Sequence, residues 1–348
     1  MSLRICIVSE AIEAPFDEGV KIFVYHLIEE TSKDHTVLGI SRLGHFKEGI
    51  EQYCVRALPD NKLFISPYLG STLRKFCPDI IFYIPTACAT LNSFLRARIL
   101  KFYVKGVKTV LISLQPREYS FISKNIIPLI APDLVLTQSE KTQKVLSNLG
   151  CETRKIACGV DLHRFTPVDI KTKEQLRKKY YFPDNKYLVL HVGHINRNRN
   201  MQFMGEIQNR GDTQAVVVGS TSYPEDKDLV KELQEKGVIV LTQYIEKIEE
   251  IYQCADYYIF PVFSDGACIE IPLSVLEAMA CNLPVITTEF GGLPDFIPEQ
   301  DGFMYAKSND DLIARLDSAR NISNPRTRDI AGQFSWGAVI KEIISISS

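Results

Sequence analysis

The chain has 348 residues, of which 45% are hydrophobic and 24% charged, with a net charge of −2. This length exceeds one ordinary hydrophobic core and favours two domains, and the composition excludes a disordered or fibrous protein. No apolar run approaches the ~18 residues of a membrane span. The nine cysteines include no CxxC pair, which argues against a zinc site or disulfide framework and favours reduced thiols in the cytoplasm.

Short β-branched runs alternate with helical patterns along the whole chain. In the first half, strands are predicted at 4–9, 36–40, 79–83, 108–113, 134–138 and 153–157, and helices at 20–32, 88–104 and 139–149. In the second half, strands are predicted at 187–192, 215–219, 238–242, 257–261 and 284–288, and helices at 171–181, 200–209, 225–236, 246–254 and 272–281. Each parallel strand needs a crossover, so this alternation predicts an α/β fold.

The pattern starts afresh after residue 165, which places a domain boundary there. We expect an N-terminal domain over 1–165, a C-terminal domain over 166–334, and a final helix over 335–348 that crosses back to the N-terminal domain. Both domains should be doubly wound and Rossmann-like, facing each other across a cleft. Ligands of such sheets bind at the carboxyl ends of the strands, here in that cleft.

Charge is unevenly distributed between the halves, because residues 1–165 hold 21 Lys/Arg against 16 Asp/Glu. Much of this excess lies in residues 94–108, a run without acidic residues that interleaves basic and apolar side chains. A helix that covers the sheet with a solvated basic face explains the run, and so does contact with anionic lipid. We therefore keep peripheral contact with an anionic membrane, at its inner face, as one expectation, and expect no nucleic-acid partner.

The stretch IPLSVLEAMA, from Ile271 to Ala280, is the most informative of the chain. Its apolar residues recur at helical spacing from Leu273 onward, and a β-branched strand follows at 284–288. A helix N-terminus presents unpaired N–H groups and positive partial charge to an anion. Glu277 lies about a turn and a half inside the predicted helix, where it can accept hydrogen bonds from the vicinal hydroxyls of a ribose.

A second polar segment, HVGHINRNRN, leaves the strand that ends at residue 192 and enters a helix. Gly193 permits close approach of the backbone to a ligand, and Arg199 can make two parallel hydrogen bonds to phosphate oxygens. His194 and Arg197 lie close in sequence. The segment predicts a phosphate-binding turn.

Three further turns follow predicted strands. Gly219 and Tyr244 follow the next two strands of the second half, where a loop backbone can read the edge of a base. Gly19 follows the first strand of the chain and would open the next helix. The absence of GxGxxG there disfavours a dinucleotide redox cofactor. No convincing DxD lies at a strand end, so we expect neither a cofactor nor a metal.

These motifs stand in the order of a known enzyme family. Together with GVDLHRFTP at 159–167, PDLVLTQSE at 132–140 and FSW at 334–336, the chain resembles the family 4 (group 1) retaining glycosyltransferases, which have the GT-B fold. The family's motifs read N-G-V-D-x-x-x-F-x-P, G-R-L-x-x-x-K, and E-G-F-x-L-x-x-L-E-A-M-A followed by G-x-P-V. The resemblance covers nearly the whole chain.

The resemblance implies a metal-independent enzyme that moves a sugar, with retention of configuration, from a nucleotide-diphosphate sugar to a glycan, lipid-linked or small-molecule acceptor. Glu277 would bind the donor ribose. Arg199, in the lysine position, would neutralise the diphosphate, and Gly19 would bring backbone N–H groups to it. The other implied donor contacts are Gly193, His194, Arg197, Gly219, Tyr244, Ile269, Ile271 and Leu273.

The chain departs from the family pattern at three polar positions. The first carboxylate of the donor motif falls on Ile269, with Glu270 one residue later, and one residue turns a helical side chain by ~100°. We carry Glu270 as the catalytic carboxylate. His194 replaces an arginine. Gln115 stands where many members have a histidine, and it can bond a sugar hydroxyl but cannot act as a base, which fits a leaving phosphate that takes the acceptor proton.

Two other functions remain open from the sequence. A nucleotide-binding relative that serves as a scaffold or partner protein would show the same loss of polar contacts. A nucleotide-sugar epimerase on the same architecture would need several acid–base groups in the cleft, of which the chain offers few. Persistence of Glu277, Arg199 and Gly19 favours the transferase.

Overall fold

The computed structural model describes residues 2–12, 15–44, 48–86, 88–221, 226–300 and 302–348. The chain divides into two units, each with its own parallel sheet. The first unit contains residues 1–158, 268–271 and 336–348, and the second contains residues 159–267 and 272–335. No helix among the described residues is long and apolar enough to span a bilayer.

The first unit is built on a seven-stranded parallel sheet with strand order 3-2-1-4-5-6-7. Its strands are β1 (Arg4–Val8), β2 (Thr36–Ser41), β3 (Cys54–Arg56), β4 (Ile80–Tyr83), β5 (Lys108–Ser113), β6 (Leu134–Thr137) and β7 (Thr153–Lys155). Its connecting helices are α1 (Gly19–Thr31), α2 (Pro67–Phe76), α3 (Leu91–Tyr103), α4 (Phe121–Ile130) and α5 (Glu140–Asn148). β1 lies inside the sheet and is buried from Ile5 to Val8, as expected of a strand covered on both faces.

The second unit repeats the design with six parallel strands in the order 10-9-8-11-12-13. Its helices are α6 (Ile170–Lys179), α7 (Phe203–Gln208), α8 (Lys227–Glu235), α9 (Ile248–Cys254), α10 (Leu273–Ala280), α11 (Leu293–Phe296), α12 (Asn309–Ala319) and α13 (Thr327–Ala331). Its strands are β8 (Tyr187–Val192), β9 (Thr213–Val218), β10 (Ile239–Leu241), β11 (Tyr257–Phe260), β12 (Val285–Thr288) and β13 (Phe303–Ala306). The order reverses beside β8, and the loops after β8 and β11 therefore mark the ligand-binding edge of this sheet.

The last helix, α14 (Trp336–Ser347), belongs to the first unit, where it packs on α1. The buried indole of Trp336 stacks on His26, with ring centroids 4.6 Å apart, and meets the edge of Phe23. Aromatic contacts of this kind add to the free energy of apolar burial. Trp336 thus anchors the C-terminal helix.

The predicted α/β fold class with two parallel sheets is confirmed, with differences in detail. The sequence did not predict β3, α2, α4, β13 or any of α11 to α13. Residues 159–165, which the sequence placed in the first domain, lie in the second unit, and the last helix begins at Trp336.

We expect Trp336→Ala to destabilise the first unit. Removal of a buried indole costs about 3–5 kcal/mol of unfolding free energy, because the cavity closes only partly. Thermal unfolding followed by circular dichroism should show a clearly lower melting temperature. Phe102→Ala, which truncates an exposed aromatic of α3, is the matched control. Equal melting temperatures for the two variants would contradict the anchoring role.

Candidate functional site

Arg199 lies in a short turn after β8 and is almost fully buried, with 6% of its surface exposed. The side chain of Asn196 caps the turn by accepting a hydrogen bond from the Arg199 backbone N–H at 3.0 Å. The Arg199 guanidinium donates from Nε and Nη2 to the carbonyl oxygen of Ala267, at 3.1 and 2.9 Å. In the described part of the chain, no carboxylate lies within ion-pair distance of it. Within the described ranges, the site therefore holds a buried cation that no carboxylate neutralises.

Gly193 provides the space for this guanidinium. A Cβ atom on residue 193 would lie 2.7 Å from Nη1 of Arg199, so a larger residue would displace the arginine. The Gly193 N–H donates to the carbonyl of Val218 at 2.9 Å, and the Gly219 N–H donates to the carbonyl of Leu241 at 2.8 Å. Both glycines thus lie at the carboxyl edge of the sheet, as the sequence predicted for a ligand-binding turn.

The remaining polar residues of this edge differ in their surroundings. Arg197 is exposed and pairs with Glu232 of α8 at 2.9 Å, and this pairing raises the pKa of Arg197. His194 is half-buried, and Tyr244 is exposed beyond the end of β10. The structure therefore brings Gly193 and Arg199 into contact and places Arg197 on the surface of α8.

Glu277 is the fifth residue of α10 and is half-buried. One of its carboxylate oxygens accepts a hydrogen bond from the hydroxyl of Tyr252 at 2.7 Å. The other oxygen has no donor within the described ranges. Burial raises the pKa of Glu277, and the hydrogen bond from Tyr252 partly offsets that shift. Leu273, at the start of the helix, is buried.

Tyr252 is a site residue that sequence reasoning missed. It is fully buried in α9, packs edge-on against Phe165, and its pKa is raised well above the ordinary value because burial disfavours the phenolate. The hydroxyl therefore remains a donor to Glu277. A tyrosine at an otherwise apolar helix position was the one available signal.

The remaining predicted residues lie in the first unit. Gly19 is the first residue of α1, and a Cβ on it would lie 2.6 Å from Cδ1 of the buried Ile269. The N–H of Ile271 donates to the side chain of Gln138 at 3.3 Å. Gln115 is half-buried just after β5, and its carbonyl accepts a hydrogen bond from Ser113. The side chain of Ile269 thus packs directly against Gly19.

Glu270 is buried against the N-terminus of α5. Its Oε1 atom accepts hydrogen bonds from the hydroxyls of Ser139 and Thr142, the second at 2.7 Å. Ser139 is also the N-cap of α5, and the Glu270 N–H donates to the carbonyl of Leu114 at 2.9 Å. The carboxylate therefore has a clear structural role in the first unit. Its predicted catalytic role stays a prediction.

Among the described residues, one cluster of potential metal ligands occurs, formed by His26, Glu29 and Glu30 of α1. His26 hydrogen-bonds Glu29 at 2.9 Å, and Lys33 pairs with Glu30 at 2.7 Å. These contacts account for the cluster without an ion. The expectation that neither metal nor cofactor is used stays a prediction.

Comparison with known proteins confirms the family resemblance. Residues 186–319 match the model of the family described as "Glycosyl transferases group 1". The chain is 25% identical over 304 residues to the sulfoquinovosyl transferase SQD2 of Arabidopsis thaliana, covering 81% of this chain and 58% of that protein. It is 25% identical over 293 residues to a GDP-mannose-dependent alpha-mannosyltransferase of Mycobacterium tuberculosis, covering 78% and 73%.

Solved structures confirm the GT-B fold class. Sucrose-phosphate synthase of Thermosynechococcus elongatus matches with a TM-score of 0.78 at 18% identity, covering 98% of this chain and 97% of that one. HepE of Anabaena, solved with UDP-glucose, matches with a TM-score of 0.77 at 16% identity, covering 98% of each chain. The chain spans only 58% and 39% of the length of the first two curated relatives.

We expect Glu277→Gln to stabilise the protein at neutral pH. The pKa of Glu277 is raised in the folded state, so the ionised carboxylate destabilises that state above the folded pKa, and the penalty vanishes below the unfolded pKa. Gln removes the charge and retains an acceptor for Tyr252. The melting temperature should therefore exceed that of the wild type at pH 7 by a few degrees at most, and the gain should disappear near pH 4. Glu206→Gln, at an exposed position of α7, is the control and should show no pH-dependent gain in melting temperature. If Glu277→Gln also shows no such gain, the raised pKa of Glu277 is disproved.

Proposed function

We propose that the chain transfers a sugar from a nucleotide-diphosphate sugar to an acceptor hydroxyl, with retention of configuration and without a metal ion. The observation that carries this proposal is the buried guanidinium of Arg199 beside Gly193, at the carboxyl edge of a parallel sheet, with no carboxylate of the described residues paired to it. Glu277, in the same unit, supplies an acceptor for the ribose hydroxyls. The names of the relatives support the reaction class.

The chemistry explains why an unneutralised cation is needed. The bond between the sugar C1 and the diphosphate oxygen breaks, a bond from C1 to the acceptor oxygen forms, and negative charge develops on the diphosphate. At an effective dielectric near 20, a cation at about 4 Å contributes on the order of 4 kcal/mol of raw attraction. Only the part gained in the transition state accelerates the reaction. Arg199 supplies that charge from the protein.

A base must also take the proton from the acceptor hydroxyl. Gln115 cannot accept it as a base, and Oε1 of Glu270 already accepts hydrogen bonds from Ser139 and Thr142. We therefore propose that the leaving diphosphate takes the proton from the acceptor hydroxyl on the same face of the sugar. This route retains the anomeric configuration and balances the charge on the leaving group.

The donor and acceptor classes come from the relatives. HepE was solved with UDP-glucose, and a mannosyltransferase relative is named GDP-mannose-dependent. Another relative, 27% identical over 169 residues, is named a phosphatidylinositol monomannoside mannosyltransferase of Corynebacterium glutamicum. We propose a nucleotide sugar as donor and a glycan, lipid-linked or small-molecule acceptor.

A nucleotide panel tests the proposal. With UDP, GDP, ADP, CMP and their sugar conjugates at ~100 times the dissociation constant, binding adds about 2.7 kcal/mol and raises the melting temperature by several degrees. We expect a shift with one base only. Arg199→Met should abolish it, whereas Arg197→Met, at an exposed and already paired position, should largely preserve it.

The outcomes separate the alternative functions. Sugar transfer to an acceptor pool from the nucleotide sugar that shifts the melting temperature supports the transferase. A shift without transfer of sugar supports the binding-only scaffold, and conversion of the donor sugar supports an epimerase. No shift with any nucleotide would overturn the donor-site proposal.

We also propose that the first unit contacts anionic membranes through α3 and α4. Neither helix contains an acidic residue, and the two pack against each other. Phe102 of α3 and Phe121 and Leu129 of α4 are 76%, 82% and 77% exposed. Large exposed apolar side chains among basic residues are typical of surfaces that insert at a lipid interface.

Ion pairs within the first unit reduce the number of basic residues that are available to contact lipid at this surface. Arg96 pairs with Glu10 at 2.7 Å, and Lys101 pairs with Asp133, so two of the five basic residues of the run are engaged internally. Lys105 and Lys124 remain exposed. The apolar residues of α4, which the sequence had not assigned to a helix, therefore become the main part of the proposed contact.

Vesicle flotation tests this surface. The wild type should float with vesicles of phosphatidylglycerol and phosphatidylcholine at low salt and less so at high salt. The variant with Phe121→Ser and Leu129→Ser should lose at least roughly tenfold in partitioning, because two large apolar side chains no longer enter the lipid. Ile170→Ser, at an exposed position of the second unit, is the matched control. Absence of flotation, or equal flotation of all variants, would disprove the contact.

A further inference from the structure

His191 is a fully buried histidine near the end of β8, two residues before Gly193. Its Nδ1 atom lies 3.0 Å from the carbonyl oxygen of Ile259 in β11. A carbonyl oxygen only accepts hydrogen bonds, so Nδ1 carries the proton and Nε2 keeps a lone pair. The ring lies beside the rings of Tyr258 and Phe260, which fix its plane.

The free lone pair faces the arginine site. Within the described ranges, Nε2 of His191 has no hydrogen-bond partner and is shielded from solvent. The point where a Cβ on Gly193 would lie is 3.2 Å from this Nε2 and 2.7 Å from Nη1 of Arg199. The two nitrogens therefore flank the same point. Burial, together with the nearby charge of Arg199, lowers the pKa of His191 to about 4, although the hydrogen bond with Ile259 acts in the opposite direction, so the ring is neutral at physiological pH.

We propose that His191 is a positioning residue for Arg199, whose neutral lone pair holds the guanidinium beside Gly193 without cancelling its charge. This inference rests on the proposed role of Arg199 as the cation that meets the donor diphosphate. A buried guanidinium needs acceptors around it to offset the loss of water. A carboxylate would supply the strongest one, but its charge would compete with the phosphate.

The two acceptors beside Arg199 have complementary positions. The Ala267 carbonyl serves Nε and Nη2, while His191 lies on the Nη1 side. A lysine, which the family pattern has at position 199, carries a single terminal nitrogen in place of the three nitrogens of a guanidinium. His191 thus lies on the side of Nη1, a guanidinium nitrogen that a lysine does not have.

A double-mutant cycle without ligand tests the pairing. His191→Phe keeps the ring volume and its contacts with Tyr258 and Phe260 but lacks the lone pair. It also frees the Ile259 carbonyl, at a cost that is the same whether or not residue 199 is an arginine. We expect His191→Phe to lower the melting temperature clearly in the wild type and by less in the Arg199→Met background. Equal losses in both backgrounds would overturn the inference.

A second measurement addresses the role in binding. For the nucleotide that shifts the melting temperature, His191→Phe should weaken binding measurably, because the lone pair no longer attracts the Nη1 side of the guanidinium and Arg199 is held less firmly beside Gly193. His191→Gln, whose amide oxygen can reach the place of Nε2, should recover part of that loss. Affinity that is unchanged in His191→Phe would overturn the inference.

The pH dependence separates a neutral acceptor from a second cation. With a nucleotide sugar, whose phosphates do not titrate near neutrality, wild-type affinity should change between pH 6 and pH 8 no more than that of His191→Phe. Tighter binding at pH 6 that only the wild type shows would mean that His191 takes up a proton, and would overturn the proposal. If no nucleotide binds but the cycle shows coupling, the proposed function fails and the pairing of His191 with Arg199 stands.

Discussion

A buried cation must be surrounded by acceptors, and the loop after β8 depends on this constraint. Arg199 has the Ala267 carbonyl on one side and the lone pair of His191 near the other, with no carboxylate in the described residues nearby. Each acceptor stabilises the guanidinium in the low dielectric without bringing a negative charge. Gly193 is required because the guanidinium lies where a side chain would stand. Gly193, His191 and the Ala267 carbonyl thus allow the loop to hold the positive charge of Arg199 without a paired carboxylate among the described residues.

Glu277 is an anion that a neutral partner holds in a similar way. Burial disfavours its ionised form, and the neutral hydroxyl of Tyr252 offsets that without adding a cation. The second carboxylate oxygen keeps its capacity to accept hydrogen bonds. Arg199 and Glu277 are therefore both positioned by neutral partners, which costs stability in the absence of a ligand and leaves each charge available to a ligand.

Sequence reasoning succeeded where the signal is local. The strand predicted at 4–9 is observed at Arg4–Val8, and the helix predicted at 272–281 is observed at Leu273–Ala280. It missed several elements, among them the three-residue β3 and α4, which contains Pro128, a residue that a helix interior normally excludes. It also could not join Tyr252 to Glu277 or Ser139 to Glu270, because these pairs are distant in sequence and nothing in a single chain reports their contact.

Glu270 shows why a motif position must be judged by its surroundings. In sequence it is an acidic residue one place from a family carboxylate, which suggests a displaced catalytic group. In the structure its Oε1 accepts hydrogen bonds from the hydroxyls of Ser139 and Thr142 at the start of α5. A helix N-terminus favours a negative charge. These hydrogen bonds give Glu270 a structural role in the first unit, and its catalytic role stays a prediction. In the proposed reaction, charge stabilisation therefore rests on Arg199, and the residues that hold its guanidinium in place determine how well it can meet the diphosphate.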